Sequence, residues 1–308
     1  MDAKPPDYEL SVPGAELRGL QWSISEPRAV VALAHGINEH IGRYEHVATA
    51  LNAAGYSVVG VDHRGHGRSE QTGKRTSNIR RFDTFVDDYI ALIDQLRAEQ
   101  NRPVVALGHS MGGLVVARAA LRVQERMAAM VLSGPALKLP MRFGPVRLRL
   151  SLALARVLPF LSLPAAEIDG LSRNPEVRAR FLEDPMTIRD PVKFGIARQL
   201  YLLSEETRRR AGEIHVPLLV MHGEADPITD PTGSREFVAN ANSPDKEFIS
   251  WPGDQHEIFN EIDQEAVLRK LIEWLDQRFP SVGAMNVGAD CNLPAASQQP
   301  DDGVDSES

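Results

Sequence analysis

The feature that most restricts what this chain can fold into is a series of short apolar runs. They are AVVALAHG (29–36), YSVVGVDHRG (56–65), PVVALGHS (103–110), AAMVLSGP (128–135), PLLVMHGEAD (217–226) and KEFISWPG (246–253). Four of them are continuous Val/Leu/Ala/Met stretches rather than alternating ones. A strand that is apolar on both sides must be covered on both faces, as in a parallel sheet sandwiched between helices. Helical spacing fills the intervals, at about 43–54, 83–100, 111–126, 232–241 and 263–279. In 83–100, for instance, Phe85, Tyr89, Leu92, Ile93 and Leu96 recur at three- and four-residue steps and form one apolar face. Strand and helix alternating this often predict an α/β fold, with a mostly parallel central sheet flanked by helices.

One segment breaks the rhythm. Between Pro135 and Pro217 no strand is evident, and a structureless loop of that length inside a compact domain is improbable. The pattern therefore predicts a helical cap over 136–216, inserted into a core made of 1–135 and 217–280. Within the cap, Arg142, Arg149 and Arg156 are seven apart and share one side of a helix whose remainder is mostly Leu and Val. Such a helix packs an apolar face on the main domain; a lid that touches a membrane or micelle surface is a compatible reading.

Composition narrows the classes of function. The apolar fraction of 43% and charged fraction of 25% are those of an ordinary globular protein. Residues 281–308 contain no Lys or Arg but five acids, Asp290, Asp301, Asp302, Asp305 and Glu307, and are predicted to be a disordered acidic tail. Setting those acids aside, the net charge of −8 shrinks to near neutrality, so nothing suggests nucleic-acid binding. The single cysteine, Cys291, allows no internal disulfide. The opening MDAKPPDYELSVPG has no apolar core, and no run of about 18 apolar residues exists. The expectation is a cytoplasmic protein without a signal peptide, associated with membranes at most peripherally through the cap.

The chemistry is concentrated in Gly108-His109-Ser110-Met111-Gly112, which follows the strand PVVAL and precedes an Ala/Val/Leu-rich helix. A serine on so sharp a strand-to-helix turn needs almost no side chain two residues either way, and the helix that starts there aims free N–H groups at developing negative charge. A serine hydroxyl needs a base, and in this architecture the order is nucleophile, acid, histidine. His215, His222 and His256 follow Ser110. Position favours His256, in the loop after the last strand; His222, ending its strand, also suits a buried structural role. Asp226, after a Gly turn at the end of its strand and before Pro227, is favoured as the acid that would orient the imidazole, with Glu224, Asp230 and Asp254 as rivals. The oxyanion needs N–H donors: Met111, and Ile37 in the loop HGINEH that follows the strand at 29–34. His35 and His109 are read as structural. The loop DHRGHGRS (62–69) matches no zinc spacing and is read as internal salt bridges and turns. No metal and no organic cofactor is expected.

The segments HGINEHIGRY (35–44), VDHRGHGRS (61–69), GHSMGG (108–113), LSRNPEV (171–177), HGEADPI (222–228) and PGDQHEIFNE (252–261) together resemble the α/β-hydrolase superfamily, and within it the monoacylglycerol lipase and lysophospholipase-like branch. That resemblance implies hydrolysis of monoacylglycerols to fatty acid and glycerol beneath a helical cap, with a lysophospholipase or a broad carboxylesterase as the alternative. It also implies that Glu39 and Arg43 lie by the polar head of the substrate, and that Phe181 lines the cap. Two positions depart from the family pattern: Asn38 stands where Gly is usual, and Phe181 where a Tyr hydroxyl is frequent.

Overall fold

The computed structural model describes residues 5–69, 75–77, 79–140, 144–162 and 168–281. Arg142 and all of the predicted acidic tail beyond Ser281 lie outside the described residues. Among the described residues, eight strands form one sheet: β1 (Asp7–Val12), β2 (Ala15–Trp22), β3 (Ala29–Ala34), β4 (Tyr56–Val61), β5 (Val104–His109), β6 (Ala129–Ser133), β7 (Leu218–Gly223) and β8 (Lys246–Trp251). Their order is β1-β2-β4-β3-β5-β6-β7-β8. The β1–β2 and β2–β4 pairs are antiparallel and the rest parallel. The eight helices of the described residues are α1 (Glu45–Ala53), α2 (Asp83–Gln100), α3 (Met111–Val123), α4 (Pro145–Val157), α5 (Pro175–Glu183), α6 (Phe194–Arg209), α7 (Pro231–Asn240) and α8 (Gln264–Arg278).

Every residue of β3, β4, β5, β6 and β7 is buried, which is why those runs are continuous in the sequence. The pleat still divides them. Val30, Ala32 and Ala34 join one core with α2, α3 and α7, while Ala29, Val31 and Leu33 join the other with α1 and α8. The hairpin β1–β2 contains no continuous apolar run and has no counterpart among the predicted strands. Its signal is alternation: Tyr8, Leu10 and Val12 point inward and their neighbours out, with Gly14 at φ +76° in the turn.

Between β6 and β7 lie α4, α5 and α6 and no strand of the sheet. Helix α4 differs from the packed helix expected there. It buries Ala155 and partly covers Leu148 and Leu152, but leaves Val146, Leu150, Leu154 and Val157 exposed along one side. At 100° per residue, exposed Arg147 flanks that stripe on one side and exposed Arg149 and Arg156 on the other. No helix of the described residues is long and apolar enough to cross a membrane.

The 62–69 loop holds the internal ties expected of it. Asp62 accepts from the N–H groups of Ile41 (2.7 Å) and Arg68 (2.8 Å), and buried Arg64 clasps buried Asp88 through Nε (2.6 Å) and Nη2 (2.8 Å). Asp88→Ala would leave that guanidinium buried and unpaired. The expected cost is about 3–5 kcal/mol, read as a fall in the denaturant midpoint at unchanged m-value.

Candidate active site

The chain's chemistry-bearing loops leave one edge of the sheet, because parallel strands all end there. Ser110 follows β5 directly, at φ +54° and ψ −119°, a conformation that costs a non-glycine residue free energy. The glycines around it make the bend possible. A Cβ on Gly112 would stand 2.2 Å from the Ala34 carbonyl oxygen, and one on Gly108 would stand 2.4 Å from that of Gly112. The Ser110 N–H donates to the Ser133 carbonyl (3.0 Å), and the Ser110 carbonyl accepts from Leu114 (3.2 Å) and Ala136 (3.0 Å), so the turn is tied to β6 and to its own helix. Met111 is the first residue of α3 and is buried.

Asp226 lies three residues beyond β7 and His256 in the loop after β8. Asp226 Oδ2 accepts from His256 Nδ1 (2.7 Å), which fixes the imidazole hydrogen on Nδ1 and leaves Nε2 for the cavity. Burial would raise the Asp226 carboxyl, but the charge of His256 and hydrogen bonds from His222 and His256 hold it well below the usual carboxylate range. Burial pushes the His256 imidazolium down; the charge and hydrogen bond of Asp226, with Glu257 and Glu39 behind it, more than offset this and raise it above the ordinary 6.5. Among the described residues Ser110 Oγ holds no hydrogen bond; it and His256 line the same cavity, of about 120 Å³. The rival acids are occupied elsewhere. Glu224 is exposed, Asp230 caps α7 through Thr232 N–H (2.9 Å), and Asp254 is paired with Arg173.

Ile37, Glu39, Arg43 and Phe181 line that cavity as well, with Asn38, His109, Ile188 and Glu257 among their neighbours. Glu39 is a buried anchor. Its Oε1 accepts from the Gly36 N–H (2.5 Å) and the Tyr44 hydroxyl (2.7 Å), which holds the loop carrying Ile37 against Ser110. A Cβ on Gly36 would come within 2.6 Å of that oxygen and 3.2 Å of Ser110 Cβ. Asn38 takes the left-handed φ of +66° that the family's glycine suits, a conformation asparagine tolerates, and its carbonyl accepts from Ile188 N–H (2.9 Å). Arg43 donates to Glu39 Oε2 (2.6 Å) and, through two nitrogens at 2.8 Å each, to Glu257. Its guanidinium stacks 5.2 Å from the Phe181 ring.

Glu257 was not among the sequence candidates, although it lies beside His256. Its signal is a carboxylate next to apolar Ile258 and Phe259, a setting in which burial requires a partner. The inserted segment also grips the site by its backbone. Leu171 O accepts from Glu257 N–H (2.7 Å) and Gly170 O from His256 N–H (3.4 Å), while Arg173 bridges Asp254, Glu261 and Asp263.

The other histidines near the site are structural in their contacts. His35 donates Nδ1–H to the Gly36 carbonyl (2.7 Å) and accepts His63 N–H at Nε2 (2.8 Å), and its ring lies 4.3 Å from that of His63. His109 Nδ1 meets Ser133 Oγ at 3.2 Å. Among the described residues no cluster of side chains could hold a metal ion.

A serine on this elbow at the edge of this sheet defines the α/β-hydrolase fold, the class to which the chain belongs. More narrowly, the model of the family described as "Serine aminopeptidase, S33" matches residues 25–263, and the chain is a member of that family. It is 40% identical to the "Monoacylglycerol lipase" of Mycolicibacterium smegmatis over 82% of this chain and 89% of that one. It is 30% identical to the "Phospholipase YtpA" of Bacillus subtilis over 83% and 98%. The solved monoacylglycerol lipase of Paleococcus ferrophilus superimposes with a TM-score of 0.73 at 33% identity, covering 85% of this chain and 99% of that one.

Two outcomes are expected. Gly112→Ala forces the elbow away from β3 by the clash with Ala34 O, and displacements near 1 Å cost about 100-fold in turnover, measurable by steady-state kinetics beside an unchanged circular dichroism spectrum. Burial, joined for His35, His63 and His109 by a neighbouring imidazole, holds four histidines neutral: His63 and His109 are lowered to about 3, His66 to about 4, and His35 well below 6.5. Because these folded values lie below the unfolded one, their stabilising contribution is complete above pH 6.5 and is lost as the pH falls from there toward 3. Denaturant titrations between pH 7 and 4.5 should show a steep loss, and double replacement of His63 and His66 by Gln should flatten it.

Proposed function

We propose that this protein hydrolyses monoacylglycerols to fatty acid and glycerol through an acyl-enzyme on Ser110. The observation that carries the reading is a strained serine on the wall of a covered cavity that it shares with a histidine anchored on a buried aspartate. The 40% identity to a chain named as a monoacylglycerol lipase supports the substrate.

Ser110 Oγ attacks the ester carbonyl and its proton passes to His256 Nε2. The N–H groups of Ile37 and Met111 hold the oxyanion. His256 returns the proton to the glycerol oxygen as the C–O bond breaks, then deprotonates the water that attacks the acyl-enzyme and frees the fatty acid and Ser110. Asp226 holds His256 in the tautomer the sequence requires. All steps run on this chain's own groups.

The polar end of the cavity favours a neutral head. Arg43 there is neutralised twice over by Glu39 and Glu257, so that trio carries a net negative charge, and the second arginine of the lining, exposed Arg189, stands next to Asp190. A phosphate set against the trio meets repulsion, whereas glycerol hydroxyls can donate to the carboxylates. This separates a monoacylglycerol from a lysophospholipid, the alternative that the relationship to a phospholipase keeps in view. At about 120 Å³ the cavity is smaller than the roughly 300–1,000 Å³ of whole-ligand sites, so the acyl chain runs out beneath the cap. The exposed stripe of Val146, Leu150, Leu154 and Val157, with arginines on both flanks, suits peripheral contact with a lipid surface from which such a substrate is drawn.

Ser110→Ala and His256→Ala should each lower kcat by about 10⁴-fold or more in a folded protein. A fluorophosphonate adduct should map by mass spectrometry to Ser110 alone. Monoacylglycerol should turn over faster than lysophosphatidylcholine or an amino-acid anilide, the substrate of a peptidase; either of those ahead of it refutes the head-group reading. The acid limb of kcat/KM should fall above pH 6.5, since the raised His256 must lose its proton to act as base.

A further inference from the structure

Asp226 serves two histidines. On the same Oδ2 that receives His256 Nδ1 at 2.7 Å, it receives His222 Nε2 at 3.0 Å. His222 is fully buried at the end of β7, four residues before Asp226. Its Nε2 faces two acceptors, Asp226 Oδ2 and the Thr229 carbonyl (3.3 Å), so Nε2 carries the hydrogen. Its Nδ1 then accepts from the hydroxyl of Ser234, which is buried in α7 at 2.7 Å. A continuous chain results, from Ser234 on α7 through His222 and Asp226 to His256.

The remaining donors to Asp226 come from its own turn, Ile228 and Thr229, so His222 and His256 are its two donors from outside that turn. Oδ1 takes the N–H groups of Ile228 (2.7 Å) and Thr229 (3.0 Å). The Thr229 hydroxyl reaches Oδ2 at 2.8 Å, but its single hydrogen is also within reach of the Gly134 carbonyl at 3.1 Å. The His222 Nε2–H is shared in the same way, 3.0 Å from Asp226 Oδ2 and 3.3 Å from the Thr229 carbonyl, with the Thr229 hydroxyl 3.2 Å away, while Ser234 holds the ring at Nδ1.

We infer that His222 is a positioning residue of the reaction: it holds the Asp226 carboxylate in register with His256 and, by sharing Oδ2, restrains how tightly that oxygen binds the His256 proton. This rests on the Ser110–His256–Asp226 reading above. Two effects follow from the geometry. Without the His222 donor, the carboxylate has one fewer hydrogen bond fixing its plane, so His256 is less well oriented. The negative charge on Oδ2 is also less satisfied, so it holds the imidazolium more strongly and the base is freed only at higher pH. The other charged or titratable groups around His256 are Glu257, Glu39, Arg43 and His109, none of which touches His222; the Thr229 hydroxyl, 3.4 Å from His256 Nδ1 and 3.2 Å from His222 Nε2, touches both rings but carries no charge. Replacing His222 leaves their contributions in place.

The test is the pH dependence of kcat/KM for wild type, His222→Ala, His222→Gln and Ser234→Ala. In His222→Ala the acid limb should move up by about half a unit to one unit, and kcat on its plateau should drop about tenfold with KM unchanged. His222→Gln restores an N–H donor toward Oδ2 and should return the acid limb toward the wild-type position. Ser234→Ala removes the lock on Nδ1 and should shift the limb in the same direction as His222→Ala, by less. An acid limb that stays put in both Ala variants overturns the inference even if kcat falls, since lost packing alone lowers turnover without moving that limb. Should His222→Ala fail to fold, Ser234→Ala and His222→Gln decide between the same two outcomes. Failure of the underlying reading shows separately, as activity retained in Ser110→Ala.

Discussion

The constraint on which this molecule depends is the contact of Gly112 with the end of β3. Its Cα rests where any Cβ would strike the Ala34 and His35 carbonyl oxygens, so the first turn of α3 is pressed onto the neighbouring strand. That pressure is what holds Ser110 at φ +54°. A strained backbone persists only when its surroundings over-determine it. Here the surroundings are a fully buried strand on each side, β3 and β6, and a hydrogen bond from Ser110 N–H to β6. The same contact sets the distance between the serine and the loop of Gly36 and Ile37, because that loop starts where Gly112 touches.

Around this fixed point the charges are arranged in closed sets. Asp226 is ionised among five donors, and Arg43 is shared by two carboxylates. The clustered imidazoles of His35, His63 and His66 beside the loop of Gly36 and Ile37 are kept neutral by burial. Buried ions are tolerated only when fully partnered, and these partners come from segments far apart in the chain. Glu39 and Glu257, for example, are over two hundred residues apart and meet on one guanidinium. The inserted segment takes part through the backbone bonds of Gly170, Leu171 and Ile188 to the histidine loop and to Asn38. Cover and chemistry are therefore mechanically joined, and movement of one is felt by the other.

Much of the fold was legible because burial on both faces leaves a continuous apolar signature, as in AVVALA and VVALGH. The hairpin β1–β2 escaped because one of its faces is wet, and alternation over six residues is a weaker signal than an unbroken run. Helix α4 was misread as packing its whole apolar side: a helical pattern shows which residues share a face, but the partner of that face belongs to the tertiary structure. Asp226 could be favoured over Glu224, Asp230 and Asp254 by position alone, yet the bond to His256 is a matter of where two loops converge.

The sequence by itself determined the alternating fold and the elbow, because each is written in local spacing and in residues that only certain backbone conformations accept. Only the tertiary structure decided that Glu257 closes on Arg43, that Glu39 holds the loop of Gly36 and Ile37 and that His222 shares an oxygen with His256. Those are contacts between segments distant in the chain, and their energies depend on burial and on ångström-scale separations that no one-dimensional pattern records.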